Sequence, residues 1–88
     1  MKFLVLWDHS AHPKGIKNPF DIVKEDLQRG IMKEWGAFPG SGKGFLILEV
    51  ENVSQAFKEL NKYRGSGIDF LSSETYLTVE EIERVFSA

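Results

Sequence analysis

The chain has no cysteine, only three prolines and only two histidines among 88 residues. Without cysteine there is no disulfide, no thiolate metal site and no cysteine nucleophile. His9 and His12 cannot complete a metal site by themselves, because zinc needs three protein ligands in a catalytic centre and four in a structural one. Asp8-His9-Ser10-Ala11-His12 would need further carboxylates, so no metal and no cofactor is expected. Basic residues form no run of five or six, and the formal net charge is −2. Nucleic acids and anionic membranes select basic patches, so neither is an expected partner. Residues 1–7 are basic then apolar, but Asp8-His9 interrupts them and no small-residue cleavage site follows. They read as a first strand, and the location as cytoplasmic.

What is present reads as a single domain spanning residues 1–88. Hydrophobic residues make up 42% of the chain and aromatics 12%, which suits a folded globule and argues against disorder. A chain this short buries only about 60–65% of its unfolded surface, so a second subunit would add much to its core.

Residues 3–8 are a short apolar run bounded by polar residues, as in a strand. Residues 9–17 form a polar loop carrying Pro13 and Gly15. Asn18-Pro19 opens a helix, since Asn caps through its side chain and Pro suits the first helical position. Phe20, Val23, Leu27 and Ile31 recur at helical spacing and carry that helix to about Lys33. Residues 35–38 make a second strand, 39–44 a turn and 45–51 a third strand. The turn superficially resembles a phosphate-binding loop, but Ala37 and Gly44 stand where Gly and Ser or Thr are required. Asn52 and Gln55 have capping-box spacing ahead of a second stripe, Ala56, Phe57, Leu60 and Tyr63. Residues 68–77 form a fourth strand, with Ser72-Ser73 a point of irregularity. Thr78 and Glu81 box the start of a last helix with Val79, Ile82, Val85 and Phe86 on one side. The stripes of all three helices are expected in the core.

The order is β-α-β-β-α-β plus a C-terminal helix, which predicts an α+β, ferredoxin-like sandwich with both crossover helices on one sheet face. The expected strand order is 4-1-3-2, with the first and third strands central and parallel. Alternation places Leu4, Leu6, Leu46, Leu48 and Val50 against the helices, and Phe3, Val5, Trp7, His9, Phe45, Ile47 and Glu49 on the opposite face. An antiparallel sheet with one wet face should alternate apolar and polar residues, and this one does not. Phe3, Val5, Trp7, Phe45, Ile47 and Phe70 at about 1.5–3 kcal/mol each amount to about 9–18 kcal/mol. That matches the whole stability of a domain, about 5–15 kcal/mol. A second copy covering this face, as a twofold homodimer, is the simplest answer.

This layout, from Phe3-Leu4-Val5-Leu6-Trp7 through Gly44-Phe45-Leu46-Ile47-Leu48-Glu49-Val50 to the last strand, resembles the dimeric α+β barrel superfamily. Its members include muconolactone isomerase-like proteins, antibiotic-biosynthesis monooxygenase-like proteins and small uncharacterised families, to which the pattern is closest. The resemblance implies face-to-face sheets around a cavity in each protomer. It also suggests a cofactor-independent isomerisation or monooxygenase-like reaction on an aromatic or lactone-like molecule. None of the superfamily's catalytic residues carries over.

The residues themselves suggest a pocket on the apolar face. With parallel central strands, Trp7 and His9 end beside Glu49 and Glu51, and Phe70, Ser72, Glu74 and Tyr76 share the face. Glu49 and His9 are the candidate proton-transfer groups, because a carboxylate desolvated beside indole is pushed towards neutral pKa. Trp7, Trp35, Glu74 and Tyr76 are the candidate ligand contacts, and the loop with Pro13 and Gly15 a candidate lid. Serine-histidine hydrolysis lacks a Gly-x-Ser-x-Gly elbow. Two function classes stay open: a small-molecule binder or enzyme, and a non-catalytic dimerisation or ligand-sensing module.

Overall fold

Three side-chain caps set where the helices begin in the computed structural model, which describes residues 1–9 and 18–87. The Asn18 side chain accepts from the Phe20 N–H ahead of α1 (Pro19–Arg29). Asn52 accepts from the Gln55 N–H at 2.8 Å to start α2 (Val53–Asn61), and Gln55 reaches back to the Glu51 N–H. Thr78 and Glu81 bond each other's backbone N–H, the full capping box, at the start of α3 (Val79–Ser87). Between them lie β1 (Lys2–Asp8), β2 (Met32–Phe38), β3 (Lys43–Glu49) and β4 (Asp69–Tyr76).

The first helix stops at Arg29, short of the expected Lys33. Gly30 takes a left-handed conformation, φ 77°, and its N–H closes the helix on Leu27 O. That frees Ile31 from the helical stripe and lets β2 start three residues before the expected Trp35. Tyr63 likewise lies beyond the end of α2, although it is buried.

The strands form one open sheet with neighbours in the order β2-β3-β1-β4, and every adjacent pair is antiparallel. The expectation of parallel central strands is therefore wrong. A crossover through α1 makes β2 run the same way as β1, and β3, slotted between them after a hairpin, must run against both. Lys2 thus sits opposite Glu49, and Asp8 opposite Lys43.

The expected parity of β1 is also reversed. Phe3 pairs with Leu48 and Val5 with Leu46, and residues directly opposite share a face. Phe3, Val5, Trp7, Leu46, Leu48 and Val50 therefore meet Val23 of α1 and Ala56 of α2 in the core. Leu4 and Leu6 turn to the other face with Phe45 and Ile47. Of the six side chains weighed above as an uncovered set, only Phe45 and Ile47 are on that face. The irregularity in β4 falls at Leu71: Leu6 pairs with Ser72 but Trp7 with Phe70, which leaves Leu71 as the extra residue.

Glycine lets an aromatic ring lie flat across the sheet on each face. A Cβ on Gly44 would meet Trp7 Cζ2 at 2.2 Å and Gly36 O at 2.1 Å, and one on Gly36 would meet Phe45 Cε1 at 2.2 Å. Trp7 occupies the first space on the helix side, and Phe45 the second on the open side.

The helical stripes are core only in part. Val23 and Ala56 are buried, but Phe20, Leu27, Val53 and Phe57 are exposed, and α3 buries none of its residues. Lys24, Glu25, Gln28 and Arg29 are exposed as expected.

Candidate functional site

The residues expected to share one pocket fall into three places. Trp7 and Trp35 belong to the core. Their rings stack at 4.8 Å, Trp35 stacks on Tyr63 at 5.8 Å, and Tyr63 meets Phe70 edge-on at 5.6 Å. Trp7 Nε1 donates to Phe45 O at 3.1 Å, so the buried indole has its partner. These rings face the helices and wall no pocket with Glu49.

His9 follows β1, half-buried, with its backbone N–H on Gly42 O at 2.8 Å. Glu49 pairs with Lys2 at the other end of the same strand, which puts the two candidate proton-transfer groups about 20 Å apart along β1. They cannot act on one substrate atom. His12, Ser10 and the proposed lid with Pro13 and Gly15 lie outside the described residues. Among the described residues no three His, Asp or Glu side chains gather as a metal site.

Glu49, Glu74 and Tyr76 do come together, around a residue the sequence reading left out. Lys2 lies between Glu49 of β3 and Tyr76 of β4, and Glu74 stands one alternation further along, opposite Leu4. Lys2 Nζ donates to Glu81 Oε1 of α3 at 3.2 Å, and Lys33 Nζ lies 3.8 Å from Glu49 Oε2. The hydrogen bond to Glu81 raises the Lys2 pKa above its usual range, with a smaller push from Glu49 and Tyr76. Glu81 accepts from the Thr78 N–H and hydroxyl as well as from Lys2, which lowers its pKa to about 2. Beside this row is a hollow of about 590 Å3 lined by Met1, Lys2, Tyr76, Leu77, Glu81 and Ile82. It offers an ammonium, a carboxylate and a phenol at one end of an apolar face.

A second charged group was hidden in the helices. Asp26 of α1 is 0% exposed. It is held by the Lys62 ammonium and by the Tyr63 hydroxyl, which donates at 3.2 Å, with Arg29 at 3.6 Å. Glu59 of α2 shares Lys62 at 2.7 Å. Burial raises the Tyr63 pKa far above normal, and the Asp26 charge adds to it. For Lys62, desolvation opposes the charge but the bonds to Asp26 and Glu59 win, and its pKa is raised. This cluster joins α1 to the end of α2, and it lines neither the Lys2-end hollow nor the groove between α2 and β4. A carboxylate three residues after buried Val23, on the same helical face, was the available signal.

The remaining features are surfaces. The open face presents Leu4, Leu6, Phe38, Phe45 and Ile47, with the rings of Phe38 and Phe45 6.0 Å apart. On the helix side, a groove of about 840 Å3 runs between α2 and β4. No helix among the described residues is long and apolar enough to cross a membrane. Comparisons with protein-family models, curated proteins and solved structures find no match to this chain.

Proposed function

We propose that this chain is a non-catalytic homodimerising module whose open sheet face packs against that of a second copy. One observation carries the reading: Leu4, Leu6, Phe38, Phe45 and Ile47 make a continuous apolar surface across β1, β2 and β3, with no described helix over it. The patch spans three strands, about 10 Å, and about 14 Å along them, with Glu34 opposite Ile47 and Glu74 opposite Leu4 at its margins. The neighbour order β2-β3-β1-β4 supports a ferredoxin-like assignment, and with it the sheet-to-sheet packing of dimeric α+β barrels. The separation of His9 from Glu49 favours a binding or assembly role over proton-transfer catalysis.

Solution mass by light scattering across a range of concentrations tests this. A mass twice the 10.0 kDa of one chain, with association weakened at least tenfold by Leu6→Lys, is the expected result. A wild-type monomer at all concentrations would remove the proposal.

The row Glu49–Lys2–Tyr76 favours a second reading, a small-molecule site at the Lys2 end. Covering the open face would enclose this end, where Lys2 can meet a carbonyl or carboxylate and Tyr76 and Ile82 an apolar ring. Benzoate and a simple γ-lactone are suitable probes of an aromatic or lactone-like preference. Titration should shift backbone NMR signals of residues 1–2 and 75–82, and Lys2→Gln should abolish the shifts. Shifts spread over the whole chain, or unaltered by Lys2→Gln, would count against this site.

A further inference from the structure

The helix that contributes nothing to the core is also the most sharply two-sided. Val79, Ile82, Val85 and Phe86 of α3 fall within about 120° of the helical circumference at about 100° per residue. None is buried, and Phe86 is 85% exposed. An apolar stripe of this kind specifies a contact, and its own chain supplies one only in part, at Ile82 beside the Lys2-end hollow.

The α2–β4 groove is the counterpart. Phe70 packs against the core beside Tyr63, but further along β4 the helix-side residues Ser73 and Thr75 are exposed. On that side β4 presents Ser73 and Thr75, small side chains that leave the space where a third helix would lie beside α2. Val53 and Phe57 form one wall with little else to touch, Phe57 being 75% exposed, and Phe70 and Leu71 lie opposite.

The chain's own α3 is held away from this groove. The Thr78–Glu81 box and the Lys2–Glu81 ion pair fix its first turn beside Lys2, whose side chain belongs to the open face, whereas the groove lies on the helix side. We propose that α3 of each copy docks in the α2–β4 groove of a second copy, a reciprocal exchange of arms.

Area supports this occupant. Seven exposed side chains, four on α3 with Val53, Phe57 and Leu71 of the groove, bury roughly 100 Å2 each, or about 700 Å2 per contact. Two reciprocal contacts give about 1,400 Å2, within the 1,200–2,000 Å2 or so of stable interfaces. Twofold symmetry makes the two contacts identical and closes the assembly. Lys58, next to Phe57 on α2, supplies a cation for the acidic side of α3, where Glu80 and Glu83 stand. The inference rests on the arm and the groove alone and does not need the sheet-face packing.

The cysteine-free chain allows a direct test. Phe57→Cys and Phe86→Cys proteins are mixed and oxidised, with Phe20→Cys, exposed on α1, replacing Phe57→Cys in the control mixture. The 57–86 disulfide between two chains should form at least tenfold faster than the 20–86 disulfide. Equal rates would overturn the proposal, as would a Phe57→Cys/Phe86→Cys double variant that closes within one chain at high dilution. As a second measurement, Ile82→Ser with Phe86→Ser should slow hydrogen exchange nowhere and speed it in α2 near Phe57. Unchanged exchange in α2 at concentrations where copies associate would also overturn it.

Discussion

The two faces of the sheet carry comparable apolar side chains but differ in what surrounds them. On the helix side, Phe3, Val5, Leu46 and Leu48 are sealed beneath α1 and α2, and the aromatic series from Trp7 to Phe70 runs beside them. On the open side, Leu4, Leu6, Phe45 and Ile47 pack only against each other and their strand neighbours. The first face derives its stability from within one chain. In the proposed dimer the second is covered by another copy, so substitutions on the two faces should respond to different variables: denaturant for one, concentration for the other.

Trp7→Ala should break the sealed face most severely. It removes the ring lying over Gly44 and the end of the aromatic series, at about 3–5 kcal/mol, read as a lower urea midpoint. Asp26→Ala comes next, at about 3 kcal/mol, because it leaves the Tyr63 hydroxyl and Lys62 without their shared carboxylate. A loss below about 0.5 kcal/mol in the same titration would show that this cluster does not join α1 to α2. On the open face, Leu6→Lys or Ile47→Gln should alter the stability of the single chain by less than about 1 kcal/mol. The same changes should lower the association constant by at least tenfold, measured by sedimentation equilibrium.

The smallest effect concerns α3. Glu81 has its pKa lowered from 4.5 to about 2, so its capping contribution is fully present above 4.5 and is lost as pH falls towards 2. Lys2 is shifted the other way, and its half of the pair persists until pH rises past 10.5 and through the raised value. Far-UV circular dichroism should therefore show helix content constant between those limits and declining slightly below pH 4.5. In Glu81→Gln the acid decline should be smaller.

Local chemistry made most elements legible in advance. Asn18-Pro19, Asn52 with Gln55 and Thr78 with Glu81 each begin a helix where side-chain geometry requires it. Gly30 was a stop signal that the apolar Ile31 outweighed in the sequence reading, which ran the first helix too far. The candidate site was legible only in part, because its residues depend on strand direction. Parallel central strands would have joined His9 to Glu49; antiparallel strands join Lys2 to Glu49 and Tyr76 instead. The parity of β1 was a separate error: the open face carries Leu4 and Leu6 in place of Phe3, Val5 and Trp7, and alternation moves the whole set together. The open face keeps Leu4, Leu6, Phe45 and Ile47, but Phe3, Val5, Trp7 and Phe70 lie on the helix side, so the proposed second copy rests on a smaller patch than the sequence suggested.

Methyl NMR with a soluble paramagnetic agent tests the central claim most directly. Leu4, Leu6 and Ile47 report the open face, and Val5, Leu46 and Leu48 serve as buried controls. The account predicts that both groups are protected at high concentration and that only the open-face methyls broaden on dilution. Open-face methyls that broaden at every concentration, while Val5, Leu46 and Leu48 stay sharp, would contradict it.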